Sequence, residues 1–187
     1  MCLSLSCSTP SDVGKCSLDV TTAPAVTGVR LGMSIDEIKV KVPAVEVSGD
    51  RTEKASGSLR GSGDGSIKGV SHADFSFFEN RLYSIEVEYD WDNWTAEEFK
   101  DSVAQKLSLK PVWIEPRESV FYPGWRCRCK GFEIEIFGPD QHTYEGRLVL
   151  SGPKIKLRDT VTAAIIDDRS RKADEDKRKQ LQREFKP

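Results

Sequence analysis

The segment Trp125-Arg126-Cys127-Arg128-Cys129-Lys130 carries the residue types best suited to covalent chemistry. Cations beside a thiol stabilise the thiolate, which is the nucleophilic and metal-binding form, and His142 is near enough in the chain to be considered as a base. In an extended strand, however, side chains alternate, so Cys127 and Cys129 share one face and Arg126, Arg128 and Lys130 the other. That pattern predicts structural cysteines facing the core and cations facing water. The competing reading is a thiol-dependent enzyme using Cys127 or Cys129. A zinc site wants four ligands at knuckle or helix spacing. Cys-x-Cys with the scattered His72 and His142 does not supply them, so neither a metal nor a cofactor is expected.

Glu86 with Glu88, and Glu133 with Glu135, could gather carboxylates on one sheet face. Glycosidic chemistry needs two carboxylates in a cleft with separated pKa values, whereas an open strand face is simply wet. No catalytic residue is assigned. Among the large aromatics, several should be core, but indole and phenol rings are also frequent in binding hot spots. Trp91, Trp94, Tyr122 and Trp125 are the candidate binding residues.

The elements that must position these groups follow from periodicity. Residues 73–90 read as strand, tight turn, strand, with Phe75, Phe77, Tyr83, Ile85, Val87 and Tyr89 on one parity and Ser76, Ser84, Glu86 and Glu88 on the other. Asn80 suits the left-handed conformation of a short hairpin loop. Ser34 with Glu37, and Thr95 with Glu98, are capping boxes. The first opens a short helix through Ile35, Ile38 and Val42, stopped by Pro43; the second opens a helix through Phe99, Val103 and Leu107 that ends before Pro111. After it, short stretches broken by Pro116 and Pro123-Gly124, then the alternation of residues 132–137, 148–150 and 155–157, predict an antiparallel meander. From Thr160 the period returns to helical, and acid-first pairs such as Asp168 with Lys172 fill a charged C-terminal helix. Residues 48–69 hold six glycines and five serines and are expected to form a long mobile loop, with a ragged hairpin as the alternative.

The 187 residues suit a single domain, and 28 Lys+Arg against 30 Asp+Glu leave a net charge of -2. That balance lacks the basic footprint of a nucleic-acid binder. No apolar run approaches the roughly 20 residues of a membrane-spanning helix. Residues 1–25, rich in Ser, Thr, Pro and Cys, read as a disordered leader or tether. Five cysteines, an odd number, define no complete disulfide framework.

The segments Ser34-Ile35-Asp36-Glu37-Ile38-Lys39 and Thr95-Ala96-Glu97-Glu98-Phe99-Lys100 match class for class, and each helix is followed by a proline and Val-rich sequence. This suggests an internal repeat. The expected fold is therefore α+β: a domain over 26–166 made of two tandem helix-plus-antiparallel-sheet repeats, 26–90 and 91–158, with the start of the last helix, and a charged helical tail over 167–187.

The segment Val29-Arg30-Leu31-Gly32-Met33-Ser34-Ile35-Asp36-Glu37-Ile38 resembles the approach to the first helix of the SmpA/OmlA (BamE-like) small envelope lipoproteins. The tandem layout is similar to the fold of the beta-lactamase inhibitory protein. The chain departs from the lipoprotein pattern in having Val42-Pro43-Ala44 after the helix. Leu5-Ser6-Cys7 resembles a partial lipobox, which makes Cys7 the lipid anchor if translation starts upstream. The resemblance implies a non-catalytic binding or assembly module of the bacterial cell envelope, located in the periplasm or outer envelope and recognising protein or peptide. The alternatives are a cytoplasmic location, the thiol enzyme, or an inhibitor-like protein presenting the 48–69 loop.

Overall fold

The structure, a computed structural model, describes residues 15–60, 67–91, 94–117, 123–144 and 147–185. It is a mixed α+β fold built on one antiparallel sheet of eight strands. Chain order begins with α1 (Ile35–Lys41), β1 (Glu46–Gly49), β2 (Lys54–Arg60), β3 (Val70–Phe78) and β4 (Arg81–Tyr89). Then come α2 (Ala96–Lys106), β5 (Ile114–Pro116), β6 (Gly124–Arg128) and β7 (Phe132–Phe137). A separate two-stranded ribbon, β8 (Asp140–Tyr144) with β9 (Arg147–Ser151), links β7 to β10 (Lys154–Asp159), α3 (Thr160–Glu184) follows, and the main sheet runs in the order β1-β2-β3-β4-β10-β7-β6-β5.

The β3–β4 hairpin closes through Glu79 and Asn80, at φ 49° and 59°. Two successive left-handed residues match the twist of the flanking strands. The hairpin departs from simple alternation at one point. Phe77 pairs with Leu82 and Ser76 with Ser84, so Tyr83 is the extra residue of a bulge. Leu82 therefore takes the core position expected for Tyr83 and is buried.

The hairpin tip also fixes the approach to α1. Gly32, at φ 81°, donates its N–H to the Leu82 carbonyl at 2.8 Å, and Leu82 N–H donates to the Met33 carbonyl at 2.8 Å. The Arg81 guanidinium reaches the Gly32 carbonyl at 3.1 Å, and Asn80 Oδ1 accepts from the Ile35 N–H, an otherwise orphan donor of the first helical turn, at 3.4 Å. Both capping boxes form as their spacing predicts, Ser34 with Glu37 and Thr95 with Glu98.

Helices α1 and α2 lie on one face of the sheet. Ile35 and Ile38 from α1, and Phe99, Val103 and Ala104 from α2, join Phe75, Ile85, Val87, Ile134, Ile136 and Leu157 in one apolar cluster. Helix α3 covers part of the opposite face. Phe78 and Arg158 alternate away from the core residues Phe77 and Leu157, and they meet Arg169, 4.7 Å over the Phe78 ring, and Asp167 at 3.9 Å. Ala163 and Ile166 are buried there, and beyond Arg171 the helix is solvated.

Two expectations are corrected. Residues 54–60, expected inside a long loop or a ragged hairpin, form a regular strand, β2, paired antiparallel with both β1 and β3. Ala55 and Leu59 are buried, and a Cβ on Gly57 would sit 3.1 Å from Val45 Cγ2 and 3.4 Å from Phe77 Cε2. Glycine here lets neighbouring strands pack closely, so it does not signal a loop. Residues 15–25, expected in the tether, are packed: Cys16 and Ala23 are buried, and Leu18 and Val20 pack partly buried against the core. Lys130 N–H donates to the Leu18 carbonyl at 2.9 Å, and Asp19 caps a short 3-10 turn over Val20–Thr22. The small apolar residues there are too sparse to show a period, but they fit a groove made elsewhere. Residues 1–14, and Cys7 with them, lie outside the described residues.

Gly152, just before β10, makes the closest backbone approach among the described glycines: a Cβ would lie 1.8 Å from the Tyr89 carbonyl oxygen. Gly152→Ala is expected to destabilise the protein by about 3 kcal/mol, the upper end of overpacking costs. A urea midpoint equal to wild type would contradict that placement.

Candidate functional site

The candidate site is a cleft of about 480 Å³ at one end of the helical layer. Its floor is Ile155 with Tyr89 at the end of β4; one wall is α2, through Phe99, Ser102, Val103 and Lys106; the other is Ala25-Val26-Thr27. Trp91 and Trp94 stand at its rim, 40% and 38% exposed. The aromatic groups support one another. The Phe99 ring packs edge-on against Tyr89 at 5.5 Å and against Trp94 at 6.0 Å, the geometry favoured by ring quadrupoles. Burial alone pushes the Tyr89 hydroxyl pKa up.

The local folding reasons are readable. Thr95 caps α2, which holds Trp94 immediately before the cap and Phe99 one turn in. Asp90 N–H donates to the Gly69 carbonyl at 3.0 Å, which keeps the chain beside β3 as it leaves the sheet. The polar rim consists of Lys68, Lys106, Asp90 and Ser102. Among the described residues, neither Lys68 nor Lys106 forms an ion pair. A cleft with an aromatic wall and free cations at its mouth can hold an apolar side chain and attract nearby negative charge. Nothing in this lining supplies a paired nucleophile and base.

Of the four candidate aromatics, Trp91 and Trp94 come together in this cleft. Trp125 does not. It lies on β6 under α2, with Lys100 Nζ 5.3 Å from its ring, in a smaller hollow shared with Ala104, Pro111 and Ile114. Tyr122 lies outside the described residues. Sequence reasoning missed Tyr89, Phe99 and the two lysines as partners of the tryptophans. Tyr89 and Phe99 carried only the ordinary signal of core periodicity, and no local pattern brings 25–27 and 155 to the same place.

The cysteines form a second constellation. Cys16 and Cys129 are joined by a disulfide with Cα atoms 4.6 Å apart. Cys127 is a free thiol, fully buried, with its Sγ 3.7 Å from Cys129 Sγ. Burial, with a smaller contribution from the Glu115 carboxylate, pushes its pKa from 9.0 up to about 11. The flanking arginines do not offset this because they face the other side of the strand, where Arg126 meets Glu135 at 3.4 Å. Cys127 is thus a poor nucleophile at neutral pH, and Cys129 is already bonded. The four strand glutamates are each matched across the sheet: Lys154 to Glu88 and Lys156 to Glu86, both at 3.2 Å, and Arg126 to Glu133 at 3.8 Å and Glu135.

Comparison with models of known protein families, with curated proteins and with solved structures finds no match.

Two outcomes follow from Cys127. Iodoacetamide at neutral pH should leave it unmodified until the protein is unfolded, as read by intact-mass analysis; rapid labelling of the native protein would contradict its burial. The thiol proton is also held more tightly in the folded chain than in the unfolded one. Its contribution to stability is therefore complete below about pH 9 and is lost as pH rises through about 11. Wild type should lose stability relative to Cys127→Ala over that window in paired urea titrations.

Proposed function

We propose that this chain is a non-catalytic binding or assembly module of the bacterial cell envelope, and that it recognises protein or peptide at the Trp91–Trp94 cleft. The observation that carries this reading is the pair of half-exposed indoles over an aromatic floor, flanked by Lys68 and Lys106. Exposing such rings is costly for a solvated surface and useful at a recognition site. The similarity of residues 29–38 to the SmpA/OmlA (BamE-like) lipoproteins supports the envelope assignment. So does the Cys16–Cys129 disulfide, because disulfides persist mainly in oxidising compartments such as the periplasm. In this reading Cys7 is the lipid anchor and the chain acts in the periplasm or at the outer envelope.

The same reading treats the fold as a duplication. Helix α1 is followed by β1, β2, β3 and β4, and α2 by β5, β6, β7 and β10 in the main sheet. The two sets meet last strand to last strand, β4 against β10, which supports two tandem repeats of the kind found in the beta-lactamase inhibitory protein.

The test is site-specific photocrosslinking in bacterial cells. A benzoylphenylalanine at position 94 should give a discrete adduct with one protein. The same group at Val40, 82% exposed on α1, should not. Trp91→Ala should weaken the purified interaction by roughly 30-fold, the loss of about 2 kcal/mol typical of a hot-spot indole. Equal adducts at both positions, or none at 94, would rule the cleft out.

A further inference from the structure

The sulfur atoms of Cys16, Cys127 and Cys129 lie within 4.8 Å of one another, and the described residues add no fourth ligand to the group. Three of the protein's cysteines, drawn from two distant parts of the chain, therefore share one spot, Cys16 and Cys127 buried and Cys129 half-buried. We propose that reduction of the Cys16–Cys129 disulfide converts these three residues into a three-coordinate thiolate site for a soft monovalent ion, Cu(I).

The scaffold holds the sulfurs together without relying on the disulfide. Cys127 lies in β6, paired with Ile114 on one side and Ile134 on the other. Cys129 N–H donates to the Phe132 carbonyl at 2.9 Å. The segment carrying Cys16 is held separately, by the Lys130 to Leu18 hydrogen bond, the bridge between Asp19 and Lys130, and the Asp19-capped turn. The Val20 side chain fills the space over Gly131, where a Cβ would come within 2.9 Å of it. When the S–S bond opens, Cys16 stays beside its neighbours.

Ligand number and type select the ion. Metal–sulfur bonds of about 2.3 Å in a trigonal plane put sulfurs about 4 Å apart, close to the 3.7 Å already separating Cys127 and Cys129. Structural zinc takes four ligands, and hard cations take oxygen, whereas thiolates select copper(I). The inner side of the group is apolar and shielded from water, as Cys16, Cys127 and Phe132 are buried, while Cys129 is half-buried at its outer edge. The exposed Lys15 and Lys130, next in sequence to Cys16 and Cys129, offset part of the thiolate charge.

The chemistry balances with a dithiol as reductant. It passes two electrons and two protons to the Cys16–Cys129 bond and is itself oxidised to a disulfide; the S–S bond breaks and two thiols form. Cu(I) binding then displaces the thiol protons to solvent, including the one that burial holds on Cys127. The oxidised protein has one free thiol at this spot and no such site.

The experiment uses the full chain carrying Cys2→Ser and Cys7→Ser, so that the leader cannot compete. Protein reduced by a dithiol and desalted without oxygen is titrated against Cu(I) held by bicinchoninate. The reduced chain should withdraw one equivalent with native circular dichroism retained, and the disulfide form none. Cys127→Ala, which keeps the Cys16–Cys129 bond when oxidised and so reports its own folding, should bind at least about 100-fold more weakly after reduction. The proposal is overturned if the reduced chain withdraws no copper, if the disulfide form withdraws as much, if Cys127→Ala binds as tightly, or if binding occurs only with loss of the native spectrum.

Discussion

The pairing of β4 with β10 is the interaction on which the rest of the molecule depends. Ile85 and Val87 face Leu157 and Ile155 across it, and Ile134 and Ile136 continue the row from β7. All six side chains are buried and form a continuous apolar floor. Both α1 and α2 need that floor, since neither helix is long enough to bury its stripe alone. Without the pairing, the strands before α2 and those after it would each end in an exposed edge, and sheet edges invite aggregation. The cleft depends on it too, because Ile155 belongs to one side of this seam and Tyr89 to the other.

A second constraint is covalent. The Cys16–Cys129 bond closes a loop across a sequence separation of 113 residues. In the chain-entropy view, restricting an unfolded chain over that length contributes roughly 4 to 5 kcal/mol. Its structural neighbourhood is local: it joins the Lys130–Leu18 hydrogen bond and the Asp19–Lys130 bridge along the end of β6 and β7, and the same segment continues through Ala23 and Val26 to the wall of the cleft. The strap and the aromatic site are therefore parts of one arrangement.

On the far face, charge takes the place of apolar packing. Glutamates on β4 and β7 alternate with lysines on β10 and arginine on β6, so each carboxylate finds a cation on the adjacent strand. Pairs this exposed add little stability singly. As a ladder they set register, because a slip of one residue would part every carboxylate from its cation, set it opposite an apolar residue, and turn the apolar side chains to water. Helix α3 crosses this face for only its first turns before running into solvent.

The elements legible in the amino-acid order were those settled by near neighbours. A capping box spans three residues, the β3–β4 turn two, and helical or strand period is read over a few positions. Hence both capped helices, the hairpin and the C-terminal helix stand where their residues predict, and the core face of Cys127 follows from alternation alone. Tertiary structure decided the rest. Cys16 finds Cys129 and β4 finds β10 because of contacts that no local pattern encodes, and Gly57 suits its strand because a Cβ there would crowd Val45 and Phe77. Trp91 and Trp94 were visible as candidate binding residues. That they share a cleft with Ala25, Tyr89 and Ile155 was decided by packing, which brings together side chains from four separate stretches of chain once a common apolar floor exists.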